Sequence, residues 1–138
     1  MRNPASMQPR PARYGTRRVI AVDNDPDALE LVVTDLEHEG HEVVATAMQG
    51  DDVARLCAQF RPDVLVVDYR MPPGLNGIEV AEHVVANAGP PPTIILYTNY
   101  RDASIRRRAA TLGVTVLPKG NLRGLRRRVS EAPASDAA

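Results

Sequence analysis

Acidic residues gather where an apolar run stops. Asp23, Asp25 and Asp27, interrupted by Asn24 and Pro26, directly follow Val19-Ile20-Ala21-Val22. Like charges packed so closely repel one another, so the pattern calls for a cation, a helix start, or both. Other polar residues stand in the same relation to apolar runs. Asp68 follows Val64-Leu65-Val66-Val67, Thr98 follows Thr93–Tyr97, and Lys119 comes just after Val114–Leu117. Two carboxylates and a carbonyl at one point suit a hard divalent cation, and Mg²⁺ takes oxygen ligands. Such a cation also offsets the repulsion between the acids. A carboxylate beside it can attack a phosphoryl group and form an aspartyl phosphate. A hydroxyl such as Thr98 and an ammonium such as Lys119 can hold phosphoryl oxygens.

The elements that must position these residues are legible as alternating patterns. After the first run, Asp25 offers an N-cap, Pro26 suits the first helical position and Gly40 suits the stop. Leu29, Val32, Val33 and Leu36 fall on one face of a helix. Val43–Ala45 predicts a second strand, and Val53, Leu56, Cys57 and Phe60 a second helix that Arg61-Pro62-Asp63 ends. Val64–Val67 is an unbroken apolar run, as expected of a strand covered on both faces. Ile78, Ala81, Val84 and Val85 mark a third helix, and Thr93–Tyr97 a fourth strand. Ile105, Ala109 and Leu112 mark a fourth helix, ended by Gly113, and Val114–Leu117 a fifth strand. Asn121 caps a last helix with Leu122, Leu125 and Val129 inward.

Five β/α units with short connections predict an α/β, doubly wound, five-stranded parallel sheet. In such sheets the site lies outside the carboxyl ends of the strands, where Asp23, Asn24, Asp68, Thr98 and Lys119 all stand. The first turn is acidic, not glycine-rich, so a dinucleotide site fits poorly, and no Walker A motif is present.

The chain has 138 residues, a one-domain length. Residues 1–16 read as a disordered basic tail, 17–129 as one domain and 130–138 as a flexible end. No run approaches the roughly 20 apolar residues of a membrane span. The start has no apolar signal region, and the single cysteine, Cys57, excludes a disulfide framework, so a cytoplasmic setting is expected. Cys57 is expected in the core, and His38, His41 and His83 at the surface.

A net charge of zero conceals a strong asymmetry. Residues 19–100 hold 14 of the 17 acids, whereas residues 101–128 hold nine basic residues and one acid, Asp102. Arginines attract nucleic acid through counterion release. This region, however, lacks an aromatic platform for bases, and the acidic portion repels a long duplex, so a protein partner is the expectation.

With these residues in order on successive strand ends, residues 17–129 resemble the receiver domain of two-component response regulators. The resemblance implies a flavodoxin-like sheet of order 2-1-3-4-5 and a signalling rather than enzymatic role. It implies that Asp68, in Val64-Leu65-Val66-Val67-Asp68-Tyr69-Arg70-Met71-Pro72, accepts a phosphoryl group from a histidine kinase. Thr98 resembles the switch hydroxyl and Lys119 the lysine that reaches the phosphoryl group. The Mg²⁺ ligands implied are Asp23, Asn24, Asp68 and the backbone carbonyl of Arg70. Output or self-association is implied through the face formed by the fourth helix, fifth strand and fifth helix. Four positions depart from the family pattern. Asn24 replaces the second acid of the metal pair, and the loop Met71–Gly77 is one residue longer. Val116 stands where many members carry an aromatic, and Gly120 follows the lysine in place of proline.

Two other readings fit parts of the pattern. Asp23 and Asp25 match the DxD nucleophile and acid/base of haloacid-dehalogenase-type phosphatases. The position two beyond Asp25 is Asp27 rather than Thr or Val, no acidic pair follows Lys119, and there is no room for a cap. A receiver-like binding module that works without phosphorylation is favoured by Asn24 and Val116 and opposed by Asp68, Thr98 and Lys119.

Overall fold

The computed structural model describes residues 15–134 except Ala88. Among them, strands β1 (Arg18–Val22), β2 (Glu42–Ala47), β3 (Val64–Val67), β4 (Thr93–Tyr97) and β5 (Thr115–Leu117) alternate with helices. The helices are α1 (Pro26–His38), α2 (Val53–Phe60), α3 (Gly77–Asn87), α4 (Ala103–Leu112) and α5 (Leu122–Glu131). The strands pair in parallel in the expected order, β2-β1-β3-β4-β5.

The pleat sorts the strand residues into two layers. Ile20, Val22, Leu65, Val67, Ile94 and Leu96 face one side, where α2, α3 and α4 pack through Val53, Cys57, Ile78, Ala81, Val84, Ile105 and Ala109. Val19, Ala21, Val64, Val66, Ile95 and Tyr97 face the other, where α1 and α5 pack through Val32, Leu36, Leu125 and Val129. All four residues of β3 are buried, which explains its unbroken apolar sequence. Truncating a fully buried residue such as Leu36 to Ala would cost about 2–5 kcal/mol. Val85, expected inward, is instead exposed on the outer side of α3.

The helix ends follow from their sequences. The Asp25 carboxylate accepts from the Asp27 N–H at the start of α1, with Pro26 in the first turn. Gly40 takes a positive φ of 96° just past its end. Asn76 and Glu79 form a reciprocal capping box at α3, each side chain accepting from the other's backbone N–H at 2.9 Å. Asn121 accepts from the Gly124 N–H at the start of α5.

The strand β2 runs longer than Val43–Ala45, because it pairs along the whole of β1. The tails expected over residues 1–16 and 130–138 fall largely on residues 1–14 and 135–138, outside the described residues. At the near edges the ordered chain goes further than expected. Thr16 donates its hydroxyl to the Gly40 carbonyl, α5 continues to Glu131, and Ser130 and Ala132 are buried.

His41, expected at the surface with His38 and His83, explains part of this order. It is 4% exposed. Its Nδ1 accepts from the Arg17 N–H at 3.1 Å, which leaves the ring proton on Nε2, 3.2 Å from the Ser130 hydroxyl. The Arg17 guanidinium donates to the Ala132 carbonyl at 2.7 Å and to the Ser130 carbonyl at 3.1 Å. The start of β1 is thereby clasped to the end of α5. Burial lowers the His41 pKa, the Arg17 charge lowers it further, and Glu39 offsets part of the effect.

A depressed histidine pKa fixes the sign of the pH dependence. The neutral ring is favoured in the folded state, so its contribution is fully present above the ordinary value of 6.5 and is lost as pH falls below it. Urea midpoints should therefore drop between pH 7.5 and pH 5.5. His41→Gln should start about 1 kcal/mol less stable at pH 7.5 and lose less over the same interval. Equal losses in both proteins would show that the clasp does not depend on a neutral His41.

Candidate functional site

Backbone bonds continue just beyond the strands, linking the carboxyl end of β1 to those of β2 and β3, and that of β4 to that of β5. The Asp68 N–H donates to the Val22 carbonyl at 3.1 Å, and the Asp23 N–H to the Ala47 carbonyl at 3.1 Å. The Thr98 N–H donates to the Leu117 carbonyl at 2.9 Å, and the Lys119 N–H to the Thr98 carbonyl at 3.3 Å. These bonds hold Asp23, Asp68, Thr98 and Lys119 in register at one edge of the sheet.

At its centre the Lys119 ammonium bridges two carboxylates. Its Nζ lies 2.8 Å from Asp23 Oδ2 and 2.9 Å from Asp68 Oδ2. The remaining oxygens are also engaged. Asp23 Oδ1 accepts from the Asp25 N–H at 2.9 Å, and Asp68 Oδ1 from the Tyr69 N–H at 2.7 Å. Both acids are buried. Since β4 lies between β3 and β5, only a long side chain can reach from the end of β5 to both acids. Burial works against the Lys119 charge. The hydrogen bonds to Asp23 and Asp68, and their negative charges, outweigh it and raise the Lys119 pKa above 10.5. The stability it contributes is fully present below 10.5 and is lost only as pH climbs from there through the folded-state value.

Thr98 is fully buried beside this triad, and its hydroxyl accepts from the Tyr100 N–H at 3.1 Å. Asn24 is half-buried next to Asp23, and Arg70 is exposed two residues past Asp68. Asp25, the second acid of the phosphatase reading, instead caps α1 from an exposed position. The charges of Asp23, Asp68 and Lys119 sum to minus one. Two buried carboxylates with residual negative charge, beside the Asn24 amide and the backbone after Asp68, form a hard-oxygen donor set that fits a divalent cation. Among the described residues no third carboxylate, histidine or cysteine joins them.

Gly77 belongs to the site for a steric reason. A Cβ there would lie 2.3 Å from the Asp68 carbonyl oxygen and 2.6 Å from Leu96 Cδ1. The start of α3 can therefore approach the phosphoacceptor candidate only with glycine at this position.

Three tyrosines stand around the edge; the sequence reads Tyr97 and Tyr100 as flanking or covering the Thr98 loop and gives Tyr69 no role. Tyr69 and Tyr100 face each other with ring centroids 6.1 Å apart, and the Arg70 guanidinium lies 6.0 Å from the Tyr100 ring centre. Tyr97 is buried, and its hydroxyl accepts from the Gly120 N–H at 2.8 Å. The only sequence signal for Tyr97 is one large polar residue closing an otherwise aliphatic strand.

Comparison with known proteins places the chain in a family. The family described as the response regulator receiver domain matches residues 19–124. The chain belongs to that family. It is 36% identical over 88 residues to the DNA-binding response regulator MtrA of Mycolicibacterium smegmatis, covering 62% of this chain and 36% of that protein. It is 37% identical over 71 residues to the protein PilH of Pseudomonas aeruginosa, covering 51% of this chain and 57% of that protein. The matches thus span between about a third and somewhat over half of these two relatives. Among solved structures, the receiver domain of the response regulator NarL from Mycobacterium tuberculosis superposes with a TM-score of 0.74 at 28% identity. That match covers 84% of this chain and 98% of that one. A CheY-like receiver from Methanospirillum hungatei gives 0.73 at 25% identity, covering 85% and 93%.

The charge count at the site makes a prediction about Asn24. Asn24→Asp adds a carboxylate beside a cluster that is already net negative. The protein without metal should lose stability, and Mg²⁺ should bind more tightly and restore more of it. Thermal melts across an Mg²⁺ titration test both effects. Equal or weaker Mg²⁺ binding by the variant would remove Asn24 from the metal account.

Proposed function

We infer that this receiver domain accepts a phosphoryl group on Asp68 from the phosphohistidine of a histidine kinase and relays that event as a conformational change. The observation that carries the reading is the Lys119 ammonium bridging Asp68 and Asp23. An Asp68 oxygen attacks phosphorus, a P–O bond forms, and the P–N bond to the donor imidazole breaks. The electron pair leaves with the imidazole nitrogen, which takes a proton from solvent. Lys119 stays protonated throughout, consistent with its raised pKa, and turns from the carboxylate toward a phosphoryl oxygen. Mg²⁺, held by Asp23, Asp68, Asn24 and the Arg70 carbonyl, would neutralise phosphoryl charge when bound.

Relay runs through Thr98. Its hydroxyl holds the Tyr100 N–H, and Tyr100 opens the loop to Asp102, which caps α4 by accepting from the Ile105 N–H at 3.0 Å. Drawing Thr98 toward a phosphoryl group would pull on this loop and on α4. Val116 lies half-buried against the core layer beneath α4 and leaves no aromatic on β5 to report the change.

The role is that of a signalling module in the cytoplasm, not of an enzyme. Among the described residues no helix is long and apolar enough to cross a membrane. Output or self-association uses the face of α4, β5 and α5. These helices flank the edge strand β5 on opposite sides of the sheet, each bringing arginines to it. Two of those arginines are committed within the chain, Arg108 to Glu82 at 3.0 Å and Arg126 to Asp35 at 2.9 Å. Arg106, Arg107, Arg123 and Arg127 are exposed. With Asp35 engaged by Arg126, α1 of a second copy offers one acid fewer than its sequence suggests.

Two measurements test this reading. Incubation with Mg²⁺ and acetyl phosphate should add one acid-stable, base-labile phosphoryl group, mapped by peptide mass to Asp68, and Asp68→Asn should abolish it. Labelling that persists in a folded variant would sink the assignment, and no labelling of the unaltered chain would favour a phosphate-independent binding module. Duplex DNA should bind weakly at physiological salt. Tight binding with a steep salt slope that Arg106→Ala and Arg127→Ala remove would instead make the basic face a nucleic-acid site.

A further inference from the structure

The turn that carries Lys119 is built in an unusual way for its task. The Asn121 N–H donates to the Pro118 carbonyl at 3.1 Å, closing a four-residue turn with Lys119 and Gly120 at its centre. Gly120 has φ +96°, the left-handed conformation required at the third position of a type II turn. Proline there would be held near −65° and would have no N–H. The Gly120 N–H is what the turn uses, since it donates to the Tyr97 hydroxyl at 2.8 Å.

Tyr97 is well suited to anchor this bond. Its ring is buried at the end of β4 in the layer beneath α1 and α5. It pairs with Leu117, two residues before Lys119. The next residue, Thr98, is bonded through its backbone to Leu117 and Lys119. The end of β4 therefore grips the β5–α5 turn on both sides of Lys119, once through backbone and once through the phenol. Burial also raises the Tyr97 pKa, so the hydroxyl keeps its proton at neutral pH.

We propose that Tyr97 is a positioning residue for Lys119. Its hydroxyl, by holding the Gly120 amide, fixes the turn so that the ammonium reaches Asp23 and Asp68 together. The proposal rests on the phosphoacceptor reading for its consequence and on geometry alone for its substance. Tyr97 touches no reacting atom. Without the phenol oxygen only the backbone grip remains, the Gly120 side of the turn loosens, and Lys119 spends more of its time away from the carboxylates.

The test is Tyr97→Phe in the full chain, which keeps the buried ring and removes only the hydroxyl. In the variant the Gly120 amide should exchange with solvent about fivefold faster than in the unaltered protein. Labelling of Asp68 by acetyl phosphate should slow about fivefold, the worth of one neutral hydrogen bond. Val129→Ala, which opens a cavity in the same layer away from the turn, should lose stability but leave the rate of Asp68 labelling unchanged. In the unaltered protein the Gly120 amide should exchange with solvent as slowly as the amides of β5. A Gly120 amide exchanging at the rate of an open loop would overturn the proposal without recourse to any variant. So would a folded Tyr97→Phe protein whose Gly120 amide exchanges no faster than that of the unaltered chain. If the unaltered chain takes no phosphoryl group, the phosphoacceptor reading fails, while the exchange measurements still decide the role of Tyr97.

Discussion

One ammonium group between two buried carboxylates is the constraint that the rest of this molecule serves. Asp23 and Asp68 lie at the ends of neighbouring strands because β1 and β3 pair in register, Val22 with Val67. Two such charges a few ångströms apart repel by several kcal/mol in a partly shielded setting. A parallel sheet cannot relieve this by slipping, because a one-residue shift would turn every core residue of a strand into the opposite layer, where it does not fit. A cation must therefore come from elsewhere in the chain. It comes from the last strand, past β4, which explains why the turn after β5 is so closely specified. Removing Lys119 would leave two acids buried and uncompensated, a costlier change than losing a surface ion pair.

The fold bears this cost where it can least disturb packing. Both hydrophobic layers are complete without the site, and the polar residues emerge only where each strand runs out. The peripheral ion pairs differ in kind. Arg108 with Glu82 and Arg55 with Asp52 are exposed at both ends, and such pairs contribute at most about 1 kcal/mol. The pair of Arg126 with Asp35 is more enclosed, and Asp35 Oδ2 is buried without a hydrogen-bond partner among the described residues. That oxygen marks a point of local frustration between α1 and α5, on the face whose other charged clasp joins Arg17, His41 and Ser130.

What could be read from the sequence was whatever local chemistry dictates. The run Val64–Val67 announced a strand covered on both faces, Asp25 with Pro26 announced a helix start, and Asn121 announced the cap of α5. The residues Asp23, Asp68 and Lys119, which the structure brings together, were each marked by a polar side chain ending an apolar run. Contacts between distant parts of the chain left no such mark. His41 resembles any polar residue after a helix-stopping glycine, and only the docking of Arg17 and Ser130 against it makes it buried. Residues 130–132 look like the start of a loose tail because nothing in their composition reveals the Arg17 side chain that holds them. The hydroxyl of Tyr97 is likewise silent until the Gly120 amide is placed beside it.

Gly120 shows how one departure from the family pattern can be absorbed by another residue. A proline after the lysine would stiffen that turn by its ring. Glycine is the most permissive residue and by itself would loosen the turn. The loss is offset by a hydrogen bond that only a residue with an N–H can donate, accepted by a phenol that only a buried aromatic at the end of β4 can present. The restraint thereby moves from the covalent geometry of the turn to a contact between β4 and the β5–α5 connection. A covalent restraint acts on Lys119 alone. A contact restraint ties Lys119 to the strand that carries Thr98, so displacement of either is felt by the other. On the phosphoacceptor reading, adding phosphoryl charge at Asp68 draws both the ammonium and the hydroxyl at once. The two are joined through β4, and they would move as one body toward Asp68, pulling on the connections to α4 and α5, the helices that border the output face.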